Sequence, residues 1–173
     1  NLSQGRSLLQ EGLYQLDVSK LPTLKLLVPE NDNHPYIATL LQKLWQDNLS
    51  VYIDLEILPL EEIQSRVAKG DYQLAILPLI PSDNTPSSLV SQFTSTSTEN
   101  IFGMVDTTFD ALVTQTDLAT TLESIAQNLS QAEQYLLDHA CVVPLYQEEI
   151  YYAMRKSVAG IQYNPFGNFA YFQ

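Results

Sequence analysis

The sequence has 173 residues, with 8 Lys and Arg set against 20 Asp and Glu, which gives a formal net charge of −12. That balance excludes a general nucleic-acid binder, because neutralising phosphates needs clustered cations. A hydrophobic content of 45% suits a chain that buries a core, and the length predicts a single domain. The charge is uneven. No Lys or Arg occurs between Lys69 and Arg155, while eleven carboxylates run from Asp71 to Glu149. Cys141 is the only cysteine, so neither an internal disulfide nor a thiolate zinc site can form. No apolar stretch approaches the roughly 20 residues of a membrane span. The chain opens without Met on what reads as a half-finished helix, and is expected to be a fragment of a longer protein.

Residues 7–14 read as a short amphipathic helix, with Gly12 near its end as an expected left-handed cap. Residues 21–28 form an apolar run between prolines, a predicted buried strand. From Pro35 to about Asn48, Ile37, Leu40, Leu41, Leu44 and Trp45 fall at helical spacing. Residues 51–58 alternate apolar and polar, the pattern of a half-buried strand. Residues 60–69 carry Glu61 and Glu62 first and Arg66 and Lys69 last, the order a helix dipole favours, and Gly70 ends them. Residues 72–80 are almost continuously apolar, which predicts a strand buried on both faces. Alternating strands and helices predict an α/β layer with a mostly parallel sheet.

Residues 81–98 are dominated by Ser, Thr, Asn and Pro and read as a long surface connection with one short helix from Pro86. A helix over residues 107–115 with Asp106 as N-cap follows, then a stronger one over 120–139. Residues 141–145 predict a short strand broken by Pro144 and continued by 150–154. The aromatic ending, 160–173, reads as a turn and an edge strand that needs a partner.

No catalytic or metal constellation emerges. His34 and His139 lack convergent ligands and suit surface or capping roles. Glu148 and Glu149 are adjacent on a strand and point to opposite faces. Cys141 has no electropositive neighbour and suits core packing. No glycine-rich phosphate loop exists, so no cofactor is expected. The best candidate comes from position, since loops leaving strand C-termini contact ligands in α/β sheets. The third strand ends at Leu79-Ile80, and Pro81-Ser82-Asp83-Asn84-Thr85-Pro86 follows with hydroxyl, carboxylate and amide groups. These six residues suit an ammonium or amide ligand; equally, Asp83 and Asn84 suit a plain turn with local side-chain contacts.

Several strings, in order, resemble the C-terminal lobe of the extracellular solute-binding proteins of the oligopeptide, dipeptide and nickel class. Ser7-Leu8-Leu9-Gln10-Glu11-Gly12 is similar to that family's helix end, and residues 38–49 followed by 51–56 to its helix and strand. Gly70-Asp71-Tyr72-Gln73-Leu74-Ala75 resembles its strand entry. Phe109-Asp110-Ala111-Leu112-Val113, Val142-Val143-Pro144-Leu145-Tyr146 and Asn164-Pro165-Phe166-Gly167-Asn168 resemble its closing pattern.

The resemblance implies a periplasmic-binding-protein-like α/β lobe spanning residues 1–173, with a mixed, mostly parallel sheet flanked by helices and a C-terminal edge strand. It implies a non-enzymatic component of an ABC importer that binds a peptide or similar solute between two lobes closed by hinge motion. Its partners would be the N-terminal lobe and a membrane permease, outside the cytoplasm and anchored through an absent N-terminal segment. A solute-sensing domain of a cytoplasmic transcription regulator is the alternative. The ligand residues implied are Leu79, Ser82, Asp83 and Asn84, with Tyr146 and Glu148 sharing a face of the later strand. Pro78-Leu79 stand where peptide binders have Gly-Trp, and Ser82 takes the place of their ammonium-binding Asp, with Asp83 one step beyond. Without Lys or Arg from Gly70 to Met154, a neutral or cationic solute is favoured.

Overall fold

Residues Leu24–Pro29 form β1, the central strand of a three-stranded parallel sheet with the order β2-β1-β3, where β2 is Ile53–Leu58 and β3 is Leu74–Ala75. The computed structural model describes residues 1–83, 85–147 and 155, together with the backbone of 161–163 and 169–171. The chain divides into two units, Asn1–Pro78 with Asn100–Gly103, and Leu79–Glu99 with Met104–Gln173.

In the first unit β1 is covered on both faces. Leu26 and Val28 join Ala38, Val51, Ile53 and Ile76 in one cluster, while Leu27 joins Ile63 and Val67 in another. This split follows from the two-residue period of a strand. Helix α1 (Leu2–Gln15) and helix α2 (His34–Leu49) supply Leu9, Trp45 and Leu49 to the first cluster, and helix α3 (Leu60–Ala68) supplies Ile63 and Val67 to the second. Spaced four apart, those two share one helical face. Arg66 Nη1 reaches Glu56 Oε1 at 2.9 Å and its Nε reaches Asp71 Oδ2 at 3.0 Å, tying α3 to β2 and to the segment before β3.

The regular elements of the second unit are a short 3-10 turn, two helices and a paired ending. Helix α4 (Thr107–Leu118) packs against helix α5 (Leu122–Asp138), burying Phe109, Val113, Thr116, Ala132 and Leu136. Asp106 caps α4 by accepting from the N–H groups of Thr108 and Phe109, at 2.8 and 3.1 Å. Thr121 and Ser124 form a reciprocal capping box at the start of α5. The C-terminal edge strand is β5 (Phe169–Tyr171), and its partner is β4 (Ile161–Tyr163) of this same chain, antiparallel.

The structure corrects several sequence expectations. Gly12 lies inside α1, and the left-handed residue after that helix is Asp17. The doubly buried strand is β1, whereas β3 is two residues long and leaves Leu79 38% and Ile80 65% exposed. Apolar content alone does not reveal which strand is central. Residues 81–98 are no surface connection, because Ser87, Ser88, Val90, Gln92 and Phe93 are buried around a 3-10 turn at Val90–Phe93. Residues 142–147 adopt no strand, and the 150–154 continuation lies outside the described residues.

Cys141 is exposed rather than packed, since Ala140 (φ 52°) turns the chain left-handed after α5. His34 is buried, with Nδ1 2.9 Å from Asn31 O. Because a carbonyl only accepts, that ring nitrogen carries the proton.

Candidate functional site

The chain leaves the C-terminal end of β3 at Ala75 and runs on to Leu79, Ser82 and Asp83 of the second unit, each of them exposed. This is the end from which α/β folds present ligand contacts. Asp83 is organised locally: its Oδ1 accepts from Thr85 N–H at 2.8 Å and from Thr85 Oγ1 at 2.6 Å. Those two bonds hold the Asp83 carboxyl below the usual carboxylate range. Both go to Oδ1, and among the described residues no donor reaches Oδ2. The local-turn reading therefore holds for Asp83, an exposed residue.

Tyr146 is 43% exposed in the irregular 142–147 segment. Without strand pairing there, the alternation expected to place Tyr146 and Glu148 on one face has no support, and Glu148, like Asn84, lies outside the described residues.

Four further carboxylates of the basic-free stretch, Asp106, Asp110, Asp117 and Asp138, take neutral donors. Asp110 receives the N–H of Ser95 at 2.9 Å and also its hydroxyl. Asp117 Oδ1 receives Ser87 Oγ at 2.6 Å, and Asp138 receives Gln134 Nε2 at 2.7 Å. Asp106 accepts from Tyr135 Oη at 2.7 Å as well as capping α4. The Tyr135 bond, then the Phe109 N–H, keeps Asp106 below the usual carboxylate range, and the same bond raises the Tyr135 phenol. His139 stacks on Tyr135 with ring centroids 3.9 Å apart. Only Asp71, at the start of the stretch, pairs with an arginine among the described residues.

Asp106, Asp110, Asp117 and Asp138 thus act as acceptors for this chain's own loops and helices. Sequence reasoning missed Gln92, Ser87 and Ser95, since nothing in a Ser- and Thr-rich run marks which polar groups find distant partners. A local side-chain turn at Asp83 was legible, while its partner Thr85 is the structure's finding.

No family model matches the chain. The parallel sheet with flanking helices is that of the class of periplasmic-binding-protein-like folds, as superposition on solved structures shows. The pheromone receptor PrgZ superposes with a TM-score of 0.73 at 24% identity, over 86% of this chain and 28% of that one. The unliganded murein tripeptide-binding protein MppA superposes with a TM-score of 0.70 at 24% identity, over 80% of this chain and 27% of that one.

Within that class, the chain is a homologue of the oligopeptide- and dipeptide-binding proteins. It is 26% identical over 150 residues to the oligopeptide-binding protein OppA of Bacillus subtilis, covering 84% of this chain and 28% of that protein. It is 23% identical over 167 residues to the dipeptide-binding protein DppE of the same organism, covering 96% of this chain and 31% of that protein. The chain therefore spans about a third or less of the length of these relatives. The regulator reading finds no support in them.

Proposed function

We propose that residues 1–173 form one lobe, the C-terminal one, of a two-lobed solute-binding protein that delivers peptides or peptide-like solutes to an ABC permease. Support comes from homology to peptide-binding proteins that runs through both units of the chain. The protein works outside the cytoplasm, consistent with relatives named as periplasmic. It carries out no chemistry on its solute, which enters the cleft between lobes and is enclosed by hinge closure.

Asp83 is the observation that carries the ligand side of this reading. An ionised carboxylate at the strand exit, with Oδ2 open, suits a ligand ammonium, whose three donors seek acceptors. Leu79, Ser82, Asn84, Tyr146 and Glu148 complete the proposed contact set. A neutral or cationic solute fits, because no Lys or Arg lies between Lys69 and Arg155 to hold a carboxylate.

Calorimetric titration of the complete protein with trilysine, trialanine, N-acetyl-trialanine and triglutamate tests this. Trilysine and trialanine are expected to bind; N-acetyl-trialanine, which lacks the α-ammonium, is expected to be weaker by about tenfold or more, the scale of one lost charge-assisted contact, and triglutamate, whose side-chain carboxylates meet no cation, weaker as well. Preference for triglutamate would overturn the reading.

A further inference from the structure

Past Ala75 the chain leaves the ladder of the sheet: Ile76 N–H still donates to Leu27 O at 2.9 Å, but residues 76–80 form no strand. The Ile80 carbonyl, at the root of the 81–86 loop, is held by a side chain instead. Gln92 Nε2 donates to Ile80 O at 2.6 Å and to Ser88 O at 3.4 Å. Gln92 is 8% exposed and sits in the 3-10 turn beside Val90 and Phe93, which are 4% and 3% exposed. An apolar side chain would pack at such a position without the desolvation that a buried amide suffers. What glutamine adds is a donor, and that donor is spent on the root of the loop.

We propose that Gln92 is the positioning residue of the binding loop. By holding the Ile80 carbonyl it fixes where residues 81–83, and with them the Asp83 carboxylate, stand before a ligand arrives. Part of the ordering that binding would otherwise require is then already done in the free protein. The proposal deepens the peptide-binding reading and rests on it for the identity of the ligand.

Gln92→Met keeps the length and burial of the side chain and removes the donor; Gln92→Ala serves as a second variant, and Gln92→Asn as a partial rescue. Two readouts on the complete protein are needed. Hydrogen exchange of the 79–93 segment without ligand is expected to speed about tenfold in Gln92→Met, with exchange in α4 and α5 unchanged, as for a local opening. Trilysine affinity is expected to fall about five- to tenfold, with Gln92→Asn in between.

Unchanged loop exchange in Gln92→Met overturns the proposal while leaving the peptide reading intact. Faster exchange with unchanged trilysine affinity also overturns it, because the loop that Gln92 holds would then lie outside the site. Faster exchange in a protein whose wild type binds none of the peptides supports Gln92 as holder of the loop and sinks the peptide reading instead. Loss of protection throughout Gln92→Met, α4 and α5 included, would mark a general packing role and count against the proposal.

Discussion

Ser87 and Asp117 are thirty residues apart in the chain, yet the Ser87 hydroxyl donates to Asp117 Oδ1 at 2.6 Å. Two helical turns earlier on α4, Asp110 accepts from both the N–H and the hydroxyl of Ser95. One helix thus ties the segment that follows the candidate loop at two points. A chain without nearby cations satisfies these carboxylates with hydroxyl and amide donors, and this lets a Ser- and Thr-rich stretch be buried.

Removing the acceptor should matter more than removing the charge. Asp117→Ala leaves the Ser87 hydroxyl, on a residue only 5% exposed, without its partner, and is expected to cost about 1–3 kcal/mol in denaturant unfolding. Asp117→Asn keeps an oxygen that can accept and should stay within about 1 kcal/mol of the parent. Equal losses in the two variants would show that the charge is what the site requires.

The Asp106–Tyr135 bond predicts a bounded pH window for stability. Asp106 has a lowered folded pKa, so its contribution is present above the unfolded carboxylate value of about 4 and disappears as pH falls through the folded one. Tyr135 has a raised folded pKa, so its contribution is present below the unfolded value of about 10 and is lost as pH rises through the folded one. Tyr135→Phe should lower the thermal midpoint between those limits and flatten its dependence at both ends. A parallel midpoint–pH curve in the variant would refute this.

Two glycines should respond to alanine with opposite signs. Gly70 has φ +71° and no heavy atom within 4 Å of an added Cβ, so Gly70→Ala costs only backbone strain, about 1 kcal/mol. Gly12 lies within α1, also with open space around it, and Gly12→Ala should stabilise by about 0.5–1 kcal/mol. Urea midpoints of the two variants check both signs, and destabilisation by Gly12→Ala would contradict the helical assignment there.

Thr85 should set the acid limit of ligand binding. With Asp83 held below the usual carboxylate range, affinity for trilysine is expected to persist as pH falls to about 4 and to drop as Asp83 is protonated below that. Thr85→Val removes the Oγ1 donor, the largest cause of that lowering, and should move the loss of affinity to higher pH. Titrations from pH 3 to 7 would show the displacement; coincident profiles would separate Asp83 from the ligand.

Local pattern in the sequence determined the alternation of strands and helices, the Asp106 cap, the charge order of α3 and the stop at Gly70, because each depends on residues within one or two turns of one another. The same holds for the local side-chain turn at Asp83, whose partner lies two residues away. Tertiary structure alone decided which strand is central, since a run such as 72–80 is equally apolar whether neighbours cover one face or two. It decided too that Gln92 reaches Ile80 and that Asp117 reaches Ser87, contacts spanning twelve and thirty residues. The basic-free stretch was visible in the sequence as an unbalanced charge. Only the packing of α4 on the residues before it gave Asp110 and Asp117 their Ser95 and Ser87 donors, because a carboxylate without a cation is stabilised by whatever donors the fold brings within reach.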